Sequence, residues 1–156
     1  MRRSKREEGF TLLMAILVSS LVLTLGIAIV SVVRKSVMLS SIGRESQFAF
    51  YAADSGAECA MYWDLRHQLF STSSPPALVD CNAQTVPVDA TIPGSFSTQP
   101  SIFTFAYELS GRCVRLRVEK RHSFPHTVIH ADGFNSRCVE VETNVRSLER
   151  SVEWYY

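Results

Sequence analysis

Charge is missing along one long stretch: from Gly9 to Val33 the chain carries no Asp, Glu, Lys or Arg across 25 residues. Proline is missing from the whole first part, since all six prolines lie at or beyond Pro75. A run with neither charges nor helix breakers predicts an uninterrupted apolar helix and excludes a solvated surface element. At 1.5 Å per residue, Phe10–Val33 would extend roughly 36 Å, enough to cross a hydrocarbon core of about 30 Å with some tilt. Catalytic signatures are missing too. No Gly-x-Ser-x-Gly, His-Glu-x-x-His or Walker-type pattern occurs, so neither an enzymatic activity nor a cofactor is expected. Net charge is close to absent, +1 over 156 residues, and nucleic acid is not expected as a partner.

What is present begins with the flanks of the apolar run. Arg2, Arg3, Lys5 and Arg6 precede it, whereas only Arg34 and Lys35 follow it closely. The positive-inside rule leaves the amino end in the cytoplasm, so a single pass through the cytoplasmic (inner) membrane exports everything beyond about residue 36. Cys59, Cys81, Cys113 and Cys138 all lie on that side, and an even count in an oxidising compartment reads as two disulfides. Four cysteines allow three pairings. An ordinary secretory signal would have a shorter apolar core followed by a small-residue cleavage site. Here the charged leader ends abruptly in Glu7-Glu8-Gly9-Phe10, and a cut between Gly9 and Phe10 would remove the charges and retain the span.

The stretch Lys5-Arg6-Glu7-Glu8-Gly9-Phe10-Thr11-Leu12-Leu13 resembles the class III leader junction of type IV prepilins and type II secretion pseudopilins. The resemblance implies that a prepilin peptidase cuts after Gly9 and N-methylates Phe10. It also implies assembly into a filament through the first helix. Leu12, Leu13, Ile16, Leu17, Val18, Leu21, Val22 and Ile27 would then pack the filament core. Implied partners are the lipid bilayer before assembly, an inner-membrane assembly platform and other pilin subunits in a hetero-oligomeric filament. Such filaments serve adhesion, motility, protein secretion or DNA uptake. One residue departs from the pattern. Major pilins carry glutamate at the fifth position after the cut, where it pairs with a neighbour's amino terminus; here that position is Met14. A carboxylate in an apolar core is costly unless a cation meets it, and without one this lateral pair is lost. The departure points to a minor pilin or pseudopilin.

Beyond Arg34 the spacing predicts an amphipathic continuation of the helix to about residue 70. Phe48, Tyr51, Ala52, Ser55, Cys59, Tyr62, Trp63 and Arg66 recur at three- and four-residue intervals, and Phe48, Tyr51, Tyr62 and Trp63 are expected to pack on a globular head. The stretch Phe50-Tyr51-Ala52-Ala53-Asp54-Ser55-Gly56-Ala57-Glu58 is similar to the alanine-rich segment of PilX-type minor pilins. Ser19, Ser20, Thr24 and Ser31 either bond back to the preceding turn or bridge packed helices. Ser71–Pro76 is expected to stop the helix and open a polar, exposed linker over 71–101.

From 102 to 156 the pattern has period two. Phe103, Phe105, Tyr107 and Leu109 share one face, and Ser110-Gly111 supplies a turn. Val114, Leu116 and Val118 follow, then a turn near Phe124-Pro125, a strand over Thr127–Asp132 and a turn at Asp132-Gly133. Val139, Val141, Thr143 and Val145 predict a further strand, with Val152, Trp154 and Tyr156 marking the last. The fold expected is α+β, a long N-terminal helix packed on four or five antiparallel strands. Cys59–Cys81 would tie the linker to the helix and leave Cys113–Cys138. In a sequential meander, however, Thr127–Asp132 separates their strands by about 9.5 Å, and a disulfide reaches only ~7 Å. Either Cys138 lies in a loop that folds back, or the strands are not in sequential order.

Two clusters have a plain reading as surface. His122, His126 and His130 recur every four residues, but Pro125 interrupts them and no carboxylate or cysteine completes a metal site, so no metal is expected. Arg112, Arg115, Arg117, Lys120 and Arg121 form a basic run, with Glu119, Glu140 and Glu142 expected as cross-strand partners. The division that follows is a cleaved leader at 1–9, a membrane helix at 10–33, its continuation at 34–70, a linker at 71–101 and a sheet at 102–156. A second reading, from another functional class, is a single-pass anchored binding or sensor domain that never polymerises.

Overall fold

The computed structural model describes residues 4–94 and 99–156, with side chains from Gly9 onward. Of the leader expected over 1–9, Gly9 is thus the only residue whose surroundings are described. Residues 95–98 of the expected linker also lie outside the described residues. The chain is one long N-terminal helix whose later part packs on an antiparallel sheet, an α+β arrangement. It divides into two units, Met1–Ile42 and Gly43–Tyr156.

Helix α1 runs from Ser4 to His67. It ends before the prolines, not at them. Gln68 turns into the left-handed region (φ 47°), its N–H bonds Asp64 O at 3.0 Å, and Leu69 N–H bonds Trp63 O at 3.2 Å. These bonds satisfy the last carbonyls locally and turn Phe70 into the core, where it is buried against Phe103 and Phe105. The expected linker is correspondingly more ordered than its composition suggests. It holds β1 (Leu78–Cys81) and β2 (Gln84–Pro87), a hairpin closed by Asn82 and Ala83 at positive φ, and then β3 (Asp89–Thr91).

The main sheet has the sequential order β3-β4-β5-β6-β7, with β4 at Ser101–Leu109, β5 at Arg112–Lys120, β6 at Thr127–Phe134 and β7 at Glu149–Tyr155. All pairs are antiparallel. Three rows of side chains cross its inner face: Phe103, Val118 and Ile129; Phe105, Leu116 and Ala131; Tyr107, Val114 and Gly133. Against them α1 turns Ala49, Ala52, Ala53, Ala57 and Ala60, all buried. The expected aromatic contact face is therefore corrected. Tyr51 is 64% exposed and Tyr62 54%, whereas Phe48 is 36% exposed with Arg112 of β5 over its ring and Trp63 is partly buried against the core. Small residues take the contact because the helix lies close to the sheet. A Cβ on Gly133 would stand 2.1 Å from Ala49 O, and one on Gly56 would stand 2.4 Å from Val114 Cγ1. Asp132-Gly133 is accordingly no turn, and β6 continues through it to Phe134.

A second correction concerns Val139–Val145, which is not a strand. Asn135 closes the base of the loop 135–148 through its N–H to Leu148 O (3.2 Å) and through Leu148 N–H to its side chain (2.8 Å). Inside, Thr143 and Asn144 N–H both turn back to Glu140 O, and Val139 is 81% exposed. The valines alternate, but no strand lies alongside to accept their backbone bonds. Cys138 sits in this returning loop, 4.5 Å from Cys113 between Cα atoms, and the two are bonded. Cys59 of α1 is bonded to Cys81 of β1 with Cα atoms 6.0 Å apart.

Candidate membrane and assembly helix

Within the first unit, every residue from Gly9 to Ile42 is exposed. Its most apolar 18-residue window reaches a mean hydropathy of 2.7, and no part of it is buried inside the chain. This is one helix long and apolar enough to cross a membrane. Phe10, Leu12, Leu13, Ile16, Leu17, Val18, Leu21, Val22 and Ile27 each stand more than half exposed, and Met14 nearly so. A helix apolar all round and packed on nothing of its own is stable only where lipid or another protein covers it.

Four hydroxyls within the apolar run bond back to the helix itself. Ser19 Oγ donates to Ala15 O at 2.6 Å, Ser20 to Leu17 O at 2.9 Å, Thr24 to Leu21 O at 2.9 Å and Ser31 to Ala28 O at 2.7 Å. Each hydroxyl bonds the preceding turn, so the surface offered to lipid needs no external partner at these positions. Around Gly26 a Cβ would meet nothing within 4 Å, which leaves a small apolar notch beside Leu23, Ile27 and Val30. A Cβ on Gly9 would likewise meet nothing within 4 Å among the described residues.

The second unit is held together at both ends of its helix. Near the far end, Asp64 is 6% exposed and its Oδ2 accepts from Lys120 Nζ at 2.5 Å and from Tyr156 hydroxyl at 2.8 Å. Lys120 Nζ also donates to Thr127 Oγ1 at 3.0 Å. Burial, and then the bond to Asp64, hold the Tyr156 hydroxyl well above the ordinary tyrosine pKa. Beside this lock the Cys59–Cys81 bond and a hydrogen bond from Trp63 Nε1 to Asp80 O (2.7 Å) fix β1 to the helix. Near Gly43, Arg112 lies over the Phe48 ring at 4.1 Å, and Arg150 Nε donates to Ser46 Oγ at 2.7 Å. The two disulfides suit an oxidising, extracytoplasmic compartment.

The basic run lies mostly on the solvated face of the sheet, paired as surface charges are. Arg117 and Arg121 both reach Glu119, at 2.7 and 2.6 Å, and Arg115 reaches Glu142 at 3.3 Å. Lys120 and Arg112 are the exceptions: Lys120 reaches inward to Asp64, and Arg112 lies over the Phe48 ring of the helix. The three histidines do not converge. His126 sits in the turn before β6, where its carbonyl accepts from Arg121 N–H at 2.7 Å, while His130 lies within β6. Among the described residues no group of three His, Cys, Asp or Glu side chains is arranged to hold a metal ion. The Asp64–Lys120 and His130–Glu153 pairs escape a reading of the sequence because each joins two separate elements. Lys120 ending an alternating strand on its inner face is the one local signal. The chain matches no family model, no curated protein and no solved structure.

Proposed function

We propose that the chain is a minor pilin or pseudopilin, a subunit that a prepilin peptidase releases at Gly9-Phe10 and that enters a type IV pilus-like or type II secretion-like filament through its first helix. The observation that carries the reading is the junction itself. A charged leader gives way at Gly9 to a charge-free helical stretch that packs on nothing among the described residues. Cleavage there leaves Phe10 at the start of an apolar rod and retains the whole membrane span.

Moving that rod from lipid into a bundle of similar helices exchanges one apolar surrounding for another. Association then rests on close packing and on having no unsatisfied polar group. The back-bonded hydroxyls meet the second condition and the notch at Gly26 favours the first. Met14 buries no charge, so this subunit needs no cation from a neighbour at that depth. The disulfide-tied head is the part left outside, and its solvated sheet face and the 71–101 segment are where subunit-specific contacts would form.

Replacing Gly9 by valine tests the pathway. The wild-type chain is expected in the sheared filament fraction, shortened by its leader. The Gly9→Val chain is expected at full length and confined to the membrane fraction. If both chains stay at full length in the membrane, the anchored, non-polymerising domain is the better account.

A further inference from the structure

The strand at the edge of a sheet opens at the lowest cost, and β7 is the longer of the two edges of the main sheet. Of its seven residues only Val152 is even half-buried. A side chain of β6 grips it from the outer face. His130 Nδ1 lies 2.8 Å from Glu153 Oε1, on its register partner in β7, and Nε2 lies 2.9 Å from Asp132 Oδ1 on its own strand. Asp132 Oδ1 also accepts from Ser151 Oγ of β7 at 2.5 Å, and Glu153 accepts from the Tyr155 hydroxyl. A neutral imidazole donates from one nitrogen and presents a lone pair at the other. With a carboxylate at each nitrogen, both bonds exist together only when the ring is an imidazolium.

We propose that His130 is a proton-dependent staple: charged, it joins Asp132 to Glu153 and holds β7 on the sheet, and on losing its proton it lets that edge strand loosen. The device belongs to the head and does not depend on how the first helix is used. The other charges on this face leave the staple in control. Arg117, opposite His130 on β5, is held by Glu119, and Arg115 in the next row is held by Glu142 of the loop 135–148. Asp89 of β3 lines the same shallow concavity, and Arg121 acts on Glu153 from a distance. Burial pulls the ring's affinity for its proton down, but Glu153 and Asp132 together outweigh it and hold His130 above the ordinary value of 6.5. A folded value above the unfolded one means that the staple is complete below about pH 6.5 and is lost as pH rises through the folded value.

Hydrogen exchange on the full chain in detergent micelles reads the effect. Protection of β7 amides divided by that of β5 amides in the same sample removes the intrinsic pH dependence of exchange. The wild-type ratio is expected to fall several-fold between about pH 6 and about pH 9. In His130→Asn it should be low and flat, and in Glu153→Gln the His130 ring signals should titrate at lower pH than in wild type. A flat wild-type ratio, an unchanged fall in His130→Asn, or a wild-type His130 midpoint at or below 6.5 by proton NMR would each overturn the proposal.

Discussion

Gly133→Ala should cost the head about 3 kcal/mol or more, although it adds a single methyl group. That methyl would stand 2.1 Å from Ala49 O and 2.4 Å from Ala53 N. Both are backbone atoms of a helix, so no side chain can rotate away, and the clash is relieved only by lifting α1 off β6. Lifting it would also part Ala52 and Ala57 from the rows of Phe105 and Val114, since one continuous core holds them all. Against a total stability of roughly 5–15 kcal/mol this is a large fraction. Thermal melting of the full chain in micelles checks it: the head transition should drop by about 10 °C or more. Gly43→Ala is the control. A Cβ there meets nothing within 4 Å, and alanine in a helix should leave melting unchanged or raise it by up to ~1 kcal/mol in stability. Equal effects from the two substitutions would mean that close helix–sheet approach does not govern the core.

Asp64→Ala is the second large effect, expected at about 3–5 kcal/mol, the usual cost of breaking a buried pair from one side. The carboxylate is nearly fully buried, and its partner Lys120 is only 20% exposed along the side chain. Removing Asp64 leaves the ammonium with Thr127 Oγ1 and takes from the Tyr156 hydroxyl its acceptor. Lys120→Met alone should cost less, because Asp64 keeps the tyrosine donor. The double variant Asp64→Leu, Lys120→Met should recover much of the loss, since a buried ion pair replaced by apolar groups is often neutral. Urea midpoints of the double variant, of Lys120→Met and of Asp64→Leu alone measure the coupling. Strict additivity would show that the pair is not the unit holding the helix end to the sheet.

These two sites mark the limits of what the sequence discloses. The α+β class is legible, because a charge-free run and two alternating strands are local patterns that chain chemistry alone imposes. The inner faces of β4 and β5, Phe103 to Tyr107 and Val114 to Val118, can be read residue by residue for that reason. Val139, Val141, Thr143 and Val145 alternate just as well and form no strand. Pairing is a non-local property, and here the loop is closed by Asn135 on Leu148 and tethered through Cys138 to Cys113. The same loop resolves the distance problem of that disulfide without disturbing the strand order.

Residue size misleads on the helix. Phe48, Tyr51 and Tyr62 have the spacing of a buried face, yet the face that is buried consists of alanines one or two positions away. Only the gap between helix and sheet decides between them, and that gap is set by Gly56 and Gly133. Asp-Gly at 132–133 shows the same ambiguity, since glycine serves a turn and a close backbone approach equally well. For the candidate assembly helix the position is reversed. Its meaning rests on the Gly9-Phe10 junction and on Met14, which are sequence features, and the fold adds that nothing among the described residues covers it.

The central claim is that Gly9-Phe10 is a processing site leading into a filament, and mass spectrometry of the mature amino terminus tests it most directly. A chain beginning at Phe10 with a methylated amine is the predicted result. An intact Met1, or a terminus created beyond about residue 30 by removal of the whole apolar segment, would contradict it.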